Sequence, residues 1–257
     1  MMDVFSGFLA GVLQGVFEWL PISSSGQNML FLMDFIHLDA SSAFSLGILL
    51  HVGTLSAVLV KYRATWFNLP KDPKLLKFLV YTSLFTGLTG LILYVLVKRS
   101  LTGFSGEYLM GLVGLMLVVT GAVLYATRKK NFGVKNIQNL SFFETAVIGA
   151  AQGFSILPGI SRSGVTFAAL ALSEVGQKEA LRLSFLMSVP AVAGAVGLEL
   201  LTDGFSTVDL WVALAGLTAS FAFGYLLIEA LTSLASKVRF EYFCILFGSI
   251  AFLSAFI

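Results

Sequence analysis

Runs of twenty residues without a charge determine the setting in which this chain can fold. Phe78–Val97 and Tyr108–Thr127 both have that length. At about 1.5 Å per helical residue, each covers the roughly 30 Å hydrocarbon core of a bilayer. Composition agrees, with 57% of the 257 residues apolar and 12% charged, about half the usual quarter for a soluble domain. The expectation is an all-α polytopic membrane protein forming a single membrane domain over residues 1–257. A net charge of +2 is too small to suggest nucleic acid. The single Cys244 lies in an apolar run, so there is no disulfide framework and the redox compartment stays open. The first apolar stretch has no basic leader and carries Gln14 and Glu18 at its far end, so it reads as part of the mature fold.

Ten apolar segments can be marked, at 3–20, 27–36, 43–60, 76–97, 108–127, 141–157, 164–173, 180–201, 208–233 and 240–257. Two of them, 27–36 and 164–173, are too short to cross, since ten helical residues cover about 15 Å. Each follows a longer segment across a polar turn, Leu20-Pro-Ile-Ser-Ser-Ser-Gly26 in one case and Leu157-Pro-Gly-Ile-Ser-Arg-Ser-Gly164 in the other. That order predicts two re-entrant hairpins, whose irregular backbone needs protein or a wet cavity around it. Ser141 and Glu144 have capping-box spacing at the start of the second hairpin.

The hairpins are copies of each other. A shift of 138 residues pairs Gly11–Gly26 with Gly149–Gly164 and matches seven of sixteen positions, including Gln14 with Gln152 and Ser23 with Ser161. Roughly one or two matches would arise by chance. Five segments therefore occur twice, at about 1–135 and 136–257. If each hairpin returns to its own side, each half crosses three times, so the halves are inverted: six full spans plus two hairpins. Thirteen basic residues, among them Lys61, Lys71, Lys130, Lys178 and Arg239, then fall on one side. The positive-inside rule makes that side cytoplasmic and places both termini outside.

Polar residues within the hairpins are the candidates for chemistry. Gln14 and Glu18 share a helix face at i, i+4, and a carboxylate that deep must be paired, solvated or bound to a metal. Ser23, Ser24 and Ser25 offer hydroxyls and helix-start N–H groups suited to phosphate. Arg162, between Ser161 and Ser163, needs an anion. In the repeat alignment Ser24 falls opposite Arg162 and Glu18 opposite Ile156, so a symmetric scaffold carries asymmetric chemistry. His51, midway along 43–60, reads either as a satisfied hydrogen-bonding residue or as a site residue. Glu199 and Glu229 lie near segment ends and are expected to reach interfacial water.

These residues resemble the undecaprenyl-diphosphatase family of the bacitracin-resistance type over essentially the whole chain. One family motif reads here as Gln14-Gly-Val-Phe-Glu18-Trp-Leu-Pro-Ile-Ser-Ser24, the other as Pro158-Gly-Ile-Ser161-Arg162-Ser-Gly-Val-Thr166. The resemblance implies an integral membrane phosphatase that hydrolyses a polyprenyl diphosphate to the monophosphate carrier lipid and phosphate at the outer face of the cell membrane. It implies Glu18, Ser24 and Arg162 as catalytic residues. Gln14, Ser23, Ser25, Gln27, Ser161, Ser163 and Thr166 are expected to bind substrate, and a divalent cation (Mg2+ or Ca2+) to bridge Glu18 and the diphosphate. Many members carry His where this chain has Gln27, so the general base here is expected to be Glu18, with His51 as the alternative. A secondary transporter or lipid flippase is the competing reading, because inverted repeats with broken helices are also the transporter pattern. The oligomeric state stays open, a homodimer among the options.

Overall fold

The structure, a computed structural model, describes residues 2–103, 106–128, 133–202, 204–205, 208–235, 237–254 and 256. Among the described residues it is all helical, apart from one isolated bridge between Lys135 and Val175. The helices are α1 (Val4–Phe17), α2 (Ser24–Asp34), α3 (Ala40–Lys61), the short α4 (Arg63–Asn68), α5 (Pro73–Gly103), α6 (Gly106–Arg128), α7 (Phe142–Gly153), α8 (Arg162–Leu172), α9 (Gln177–Thr202), α10 (Leu210–Ala235) and α11 (Phe240–Ser254). Lys129 and Lys130 lie outside the described residues, as does the side chain of Arg128.

Local chemistry sets the helix ends. The Asp3 carboxylate accepts from the Ser6 amide at 2.8 Å and starts α1. The Ser141/Glu144 capping box forms as expected, with both reciprocal bonds present at the start of α7. The helices of the two hairpins end and restart at the Pro/Ser/Gly turns, so α1 and α2, and likewise α7 and α8, are separate short helices.

Among the described residues, α3, α5, α6, α9 and α10 are long and apolar enough to cross a membrane. The chain is thus a multi-pass membrane protein by helix length and composition. The segment expected as the sixth span holds α11, which is apolar and described over 15 residues, about 22 Å.

Packing places the hairpins at the centre. Helix α1 lies along α10, α7 along α5, and α6 along α11, while α3 contacts α9 and α10. At the α1–α10 contact a Cβ on Gly11 would sit 2.1 Å from the Gly216 carbonyl oxygen, so that crossing requires glycine there. The expectation that Glu199 reaches interfacial water is corrected. Glu199 is fully buried and tied to Tyr94 at 2.8 Å, to Lys98 at 2.7 Å and to Ser45. Donors from α3 and α5 satisfy the carboxylate and offset the cost of taking it out of water. Glu229 is exposed and pairs with Lys61.

Candidate active site

The two hairpin turns meet. Ser23 caps α2 from a left-handed backbone conformation (φ 59°), which costs a non-glycine residue about 1 kcal/mol or more. From there its Oγ accepts from the Gly26 amide at 3.3 Å and from the Gly159 amide of the other hairpin at 3.1 Å. Gly159 has φ +99°, and a Cβ on it would lie 2.4 Å from the Val113 carbonyl oxygen. Thr120 of α6 pins the second turn, donating to Gly159 O at 3.0 Å and accepting from the Ser161 amide at 3.1 Å. Ser161 caps α8 through the Gly164 amide, 3.1 Å away. The N-termini of α2 and α8 are thereby brought together, each with its partial positive charge.

A carboxylate–guanidinium pair lies beside this contact. Glu18 Oε1 is bound by Arg162 Nη2, and its Oε2 accepts from Ser24 Oγ at 2.7 Å and Gln14 Nε2 at 2.9 Å. Both Glu18 and Ser24 are buried. Arg162 Nη1 donates to Ser184 O of α9 at 3.2 Å, while Arg162 Nε is buried with no acceptor among the described residues. His51 reaches the same centre. Its Nδ1 lies 2.6 Å from Gly47 O and its Nε2 3.4 Å from Glu18 Oε2. A carbonyl can only accept, so Nδ1 carries a proton and Nε2 is the atom presented to Glu18.

The centre opens into a cavity of about 870 Å³ lined by residues of both halves. Glu18, Ser23, Ser24, Ser25, His51, Ser161, Arg162 and Ser163 all line it. Gln14, Gln27 and Thr166 do not, although the sequence suggested them as substrate contacts. Gln14 is fully buried behind Glu18, Gln27 donates to Ile22 O at 3.4 Å, and Thr166 contacts Ser184 Oγ at 2.6 Å. All three are thus tied to protein groups of the hairpins or of α9.

Sequence reasoning passed over Asn28, Ser184 and Thr120. Asn28 Nδ2 donates to Gln14 Oε1 at 2.9 Å and so orients the amide that holds Glu18. Its signal was a polar residue one turn after Ser24 in a short apolar helix. Ser184 acts through its backbone carbonyl, which no residue type reveals. No three His, Cys, Asp or Glu side chains converge to hold a metal among the described residues. Both oxygens of Glu18 are already engaged by protein groups.

Comparison with known proteins places the chain in a family. Residues 7–252 match the family model described as bacitracin resistance protein BacA. A relative named undecaprenyl-diphosphatase from Methanothrix thermoacetophila is 39% identical over 250 residues, 97% of this chain and 96% of its own. Another with that name, from Methanococcoides burtonii, is 36% identical over the full length of both chains. A third, from Haloarcula marismortui, is 33% identical over 97% of this chain and 96% of its own. Fold and site together define a multi-pass membrane protein with a buried charged centre between two paired hairpin turns. The chain belongs to the bacitracin resistance protein BacA family.

Proposed function

We propose that this protein is an integral membrane phosphatase converting a polyprenyl diphosphate, undecaprenyl diphosphate by its relatives' name, to the monophosphate lipid and phosphate. The observation that carries this reading is the Arg162 guanidinium, part-buried with its Nε fully enclosed. One edge is tied to Glu18, and its Nε–H has no acceptor among the described residues, beside two helix N-termini. That arrangement suits a phosphate anion. The rest of the cavity suits a lipid tail, because Leu84, Leu88, Ile92 and Leu201 line it while remaining about half exposed or more on the outer surface of the bundle.

Ser24 is the nucleophile in this proposal and Glu18 its base, as their 2.7 Å hydrogen bond favours. An Oγ–P bond forms, the hydroxyl proton passes to Glu18, and the bridging P–O bond breaks to leave the monophosphate lipid. Water then hydrolyses the phosphoserine, forming a new P–O bond as the Oγ–P bond breaks; Glu18 returns its proton to Ser24 Oγ, and the water's protons leave with the released phosphate. Arg162 and the helix N-termini stabilise charge on the phosphoryl oxygens. A divalent cation, Mg2+ or Ca2+, belongs with the bound diphosphate rather than with the free protein. Phosphate oxygens and Glu18 would hold it, and it would supply further charge neutralisation.

The inverted repeat and six-crossing topology belong to the same proposal, with both termini and the site facing outward from the cell membrane. Reciprocal packing supports the repeat. Helix α1 lies on α10 and α7 on α5, and these are corresponding partners if α1 matches α7 and α5 matches α10. Cys244 is buried, so cysteines placed at exposed Asp209 and Asn68 report alone. An impermeant reagent should label Asp209→Cys and spare Asn68→Cys; the opposite pattern inverts the topology. Phosphate release by purified protein over a panel of diphosphates, with and without chelator, tests the activity. Glu18→Gln should abolish it, and an active, metal-stimulated Glu18→Gln would make that carboxylate structural. A protein that moves polyprenyl lipid but releases no phosphate would be a flippase instead.

A further inference from the structure

The cavity carries a second polar arc, formed by Ser83 and Thr86 of α5 with Gln152 of α7 and Ser155 just after it. Its protons are all spent. Ser83 donates to Leu79 O at 2.5 Å, Thr86 to Gly149 O at 2.9 Å, and Ser155 to Gln152 O at 2.7 Å. Gln152 Nε2 donates to Thr86 Oγ1 at 3.1 Å and Met187 O at 3.3 Å. Thr86 has already given its proton away and Met187 offers a carbonyl, so the amide group must face them and the carboxamide cannot be flipped. Gln152 is 1% exposed, and its Oε1 accepts from no donor among the described residues.

The repeat sharpens the contrast. Gln14 is the counterpart of Gln152, and its Oε1 is satisfied by Asn28. The residue corresponding to Asn28 is Thr166, which is committed to Ser184 and Arg162. An orphaned buried amide oxygen is destabilising, and Gln152 belongs to the cavity wall, where a ligand can relieve it. Gln152 and Arg162 bind the carbonyls of Met187 and Ser184, three residues apart on α9 and so about 4.5 Å apart along its axis. One neighbour therefore offers donors to phosphoryl oxygens, and the other offers only acceptors.

We propose that Gln152 is a further residue of the reaction site, its carboxamide oxygen accepting a hydrogen bond from the water that hydrolysis consumes. A fully ionised phosphoryl group has no proton to give this arc, whereas water does. A water held through O–H presents its lone pairs away from the arc, toward the phosphorus that Arg162 holds. Thr86 and Met187 are positioning groups for the carboxamide.

This inference rests on the phosphatase reading, and the experiment separates the two. Purified wild type and Gln152→Met are compared for phosphate release from a polyprenyl diphosphate, for binding of methylenediphosphonate and for thermal midpoint. The expected result is a kcat at least ~30-fold lower, with KM and diphosphonate affinity within about threefold of wild type. An unchanged kcat overturns the inference, as does a fall in kcat matched by equally weakened diphosphonate binding. Should Gln152→Met not fold, Thr86→Val carries the same test. It removes the acceptor that holds the carboxamide, together with the bond to Gly149 O, and a kcat about tenfold lower at constant diphosphonate affinity is expected. Wild type that releases no phosphate would fail the phosphatase reading itself.

Discussion

Replacing Arg162 by lysine keeps the charge and removes the fork, which makes it the sharpest perturbation of the proposed site. The guanidinium serves Glu18 through Nη2 and Ser184 O through Nη1, and leaves Nε–H uncommitted. An ammonium in the same place keeps its attraction to Glu18, but one nitrogen cannot also reach the α9 carbonyl and grip a phosphate side-on. The loss is one charge-assisted phosphate contact, roughly 1.5–3 kcal/mol, plus an anchoring hydrogen bond of about 1 kcal/mol. The sum of about 2.5–4 kcal/mol corresponds to a fall in kcat/KM of roughly 10²–10³-fold. Stability should change much less, since Glu18 still faces a cation. Arg162→Ala, by contrast, strands a buried carboxylate at a cost of roughly 3–5 kcal/mol. Phosphate release under kcat/KM conditions, read beside the thermal midpoint in detergent, distinguishes these effects. Arg162→Lys within about threefold of wild type, or activity lost only in proportion to folded protein, would refute the clamp.

Three other perturbations have defined outcomes. His51→Gln should keep turnover within about tenfold of wild type, because Ser24 already donates to Glu18. A hundredfold loss in folded protein, about 2.7 kcal/mol, would make His51 the base. Lys98→Met removes a cation from the buried Glu199 and should lower stability by about 3 kcal/mol while leaving kcat of the folded fraction unchanged; a wild-type thermal midpoint would contradict that. Gly159→Ala forces a Cβ into the Val113 carbonyl at positive φ and should cost more than about 1 kcal/mol, with activity falling as the hairpin contact opens. Full activity at wild-type stability would show that the turns need not touch.

Much of this protein was legible in the chain as written. Uncharged runs of bilayer length, the short segments after Pro/Ser/Gly turns and the 138-residue echo between Gln14 and Gln152 are local or periodic signals. A membrane makes them strict, because its core offers no water to unpaired backbone or charge. Glu18, Ser24 and Arg162 stood out for the same reason, each being costly in an apolar segment unless it has a partner.

What only the tertiary structure decided was who those partners are. Nothing in the spacing of 18 and 162 requires a shared ion pair, and nothing in segment 43–60 says that His51 points at the same carboxylate. Glu199 shows the limit most plainly: a helix-end glutamate reads as solvated, yet donors from α3 and α5 converge on it and bury it. The free oxygen of Gln152 is equally invisible in sequence, because its satisfied twin Gln14 has the same residue type and repeat position. Residue type sets which hydrogen bonds a group must make. Which neighbour makes them depends on how helices distant in sequence pack, and that is settled only when the whole bundle closes.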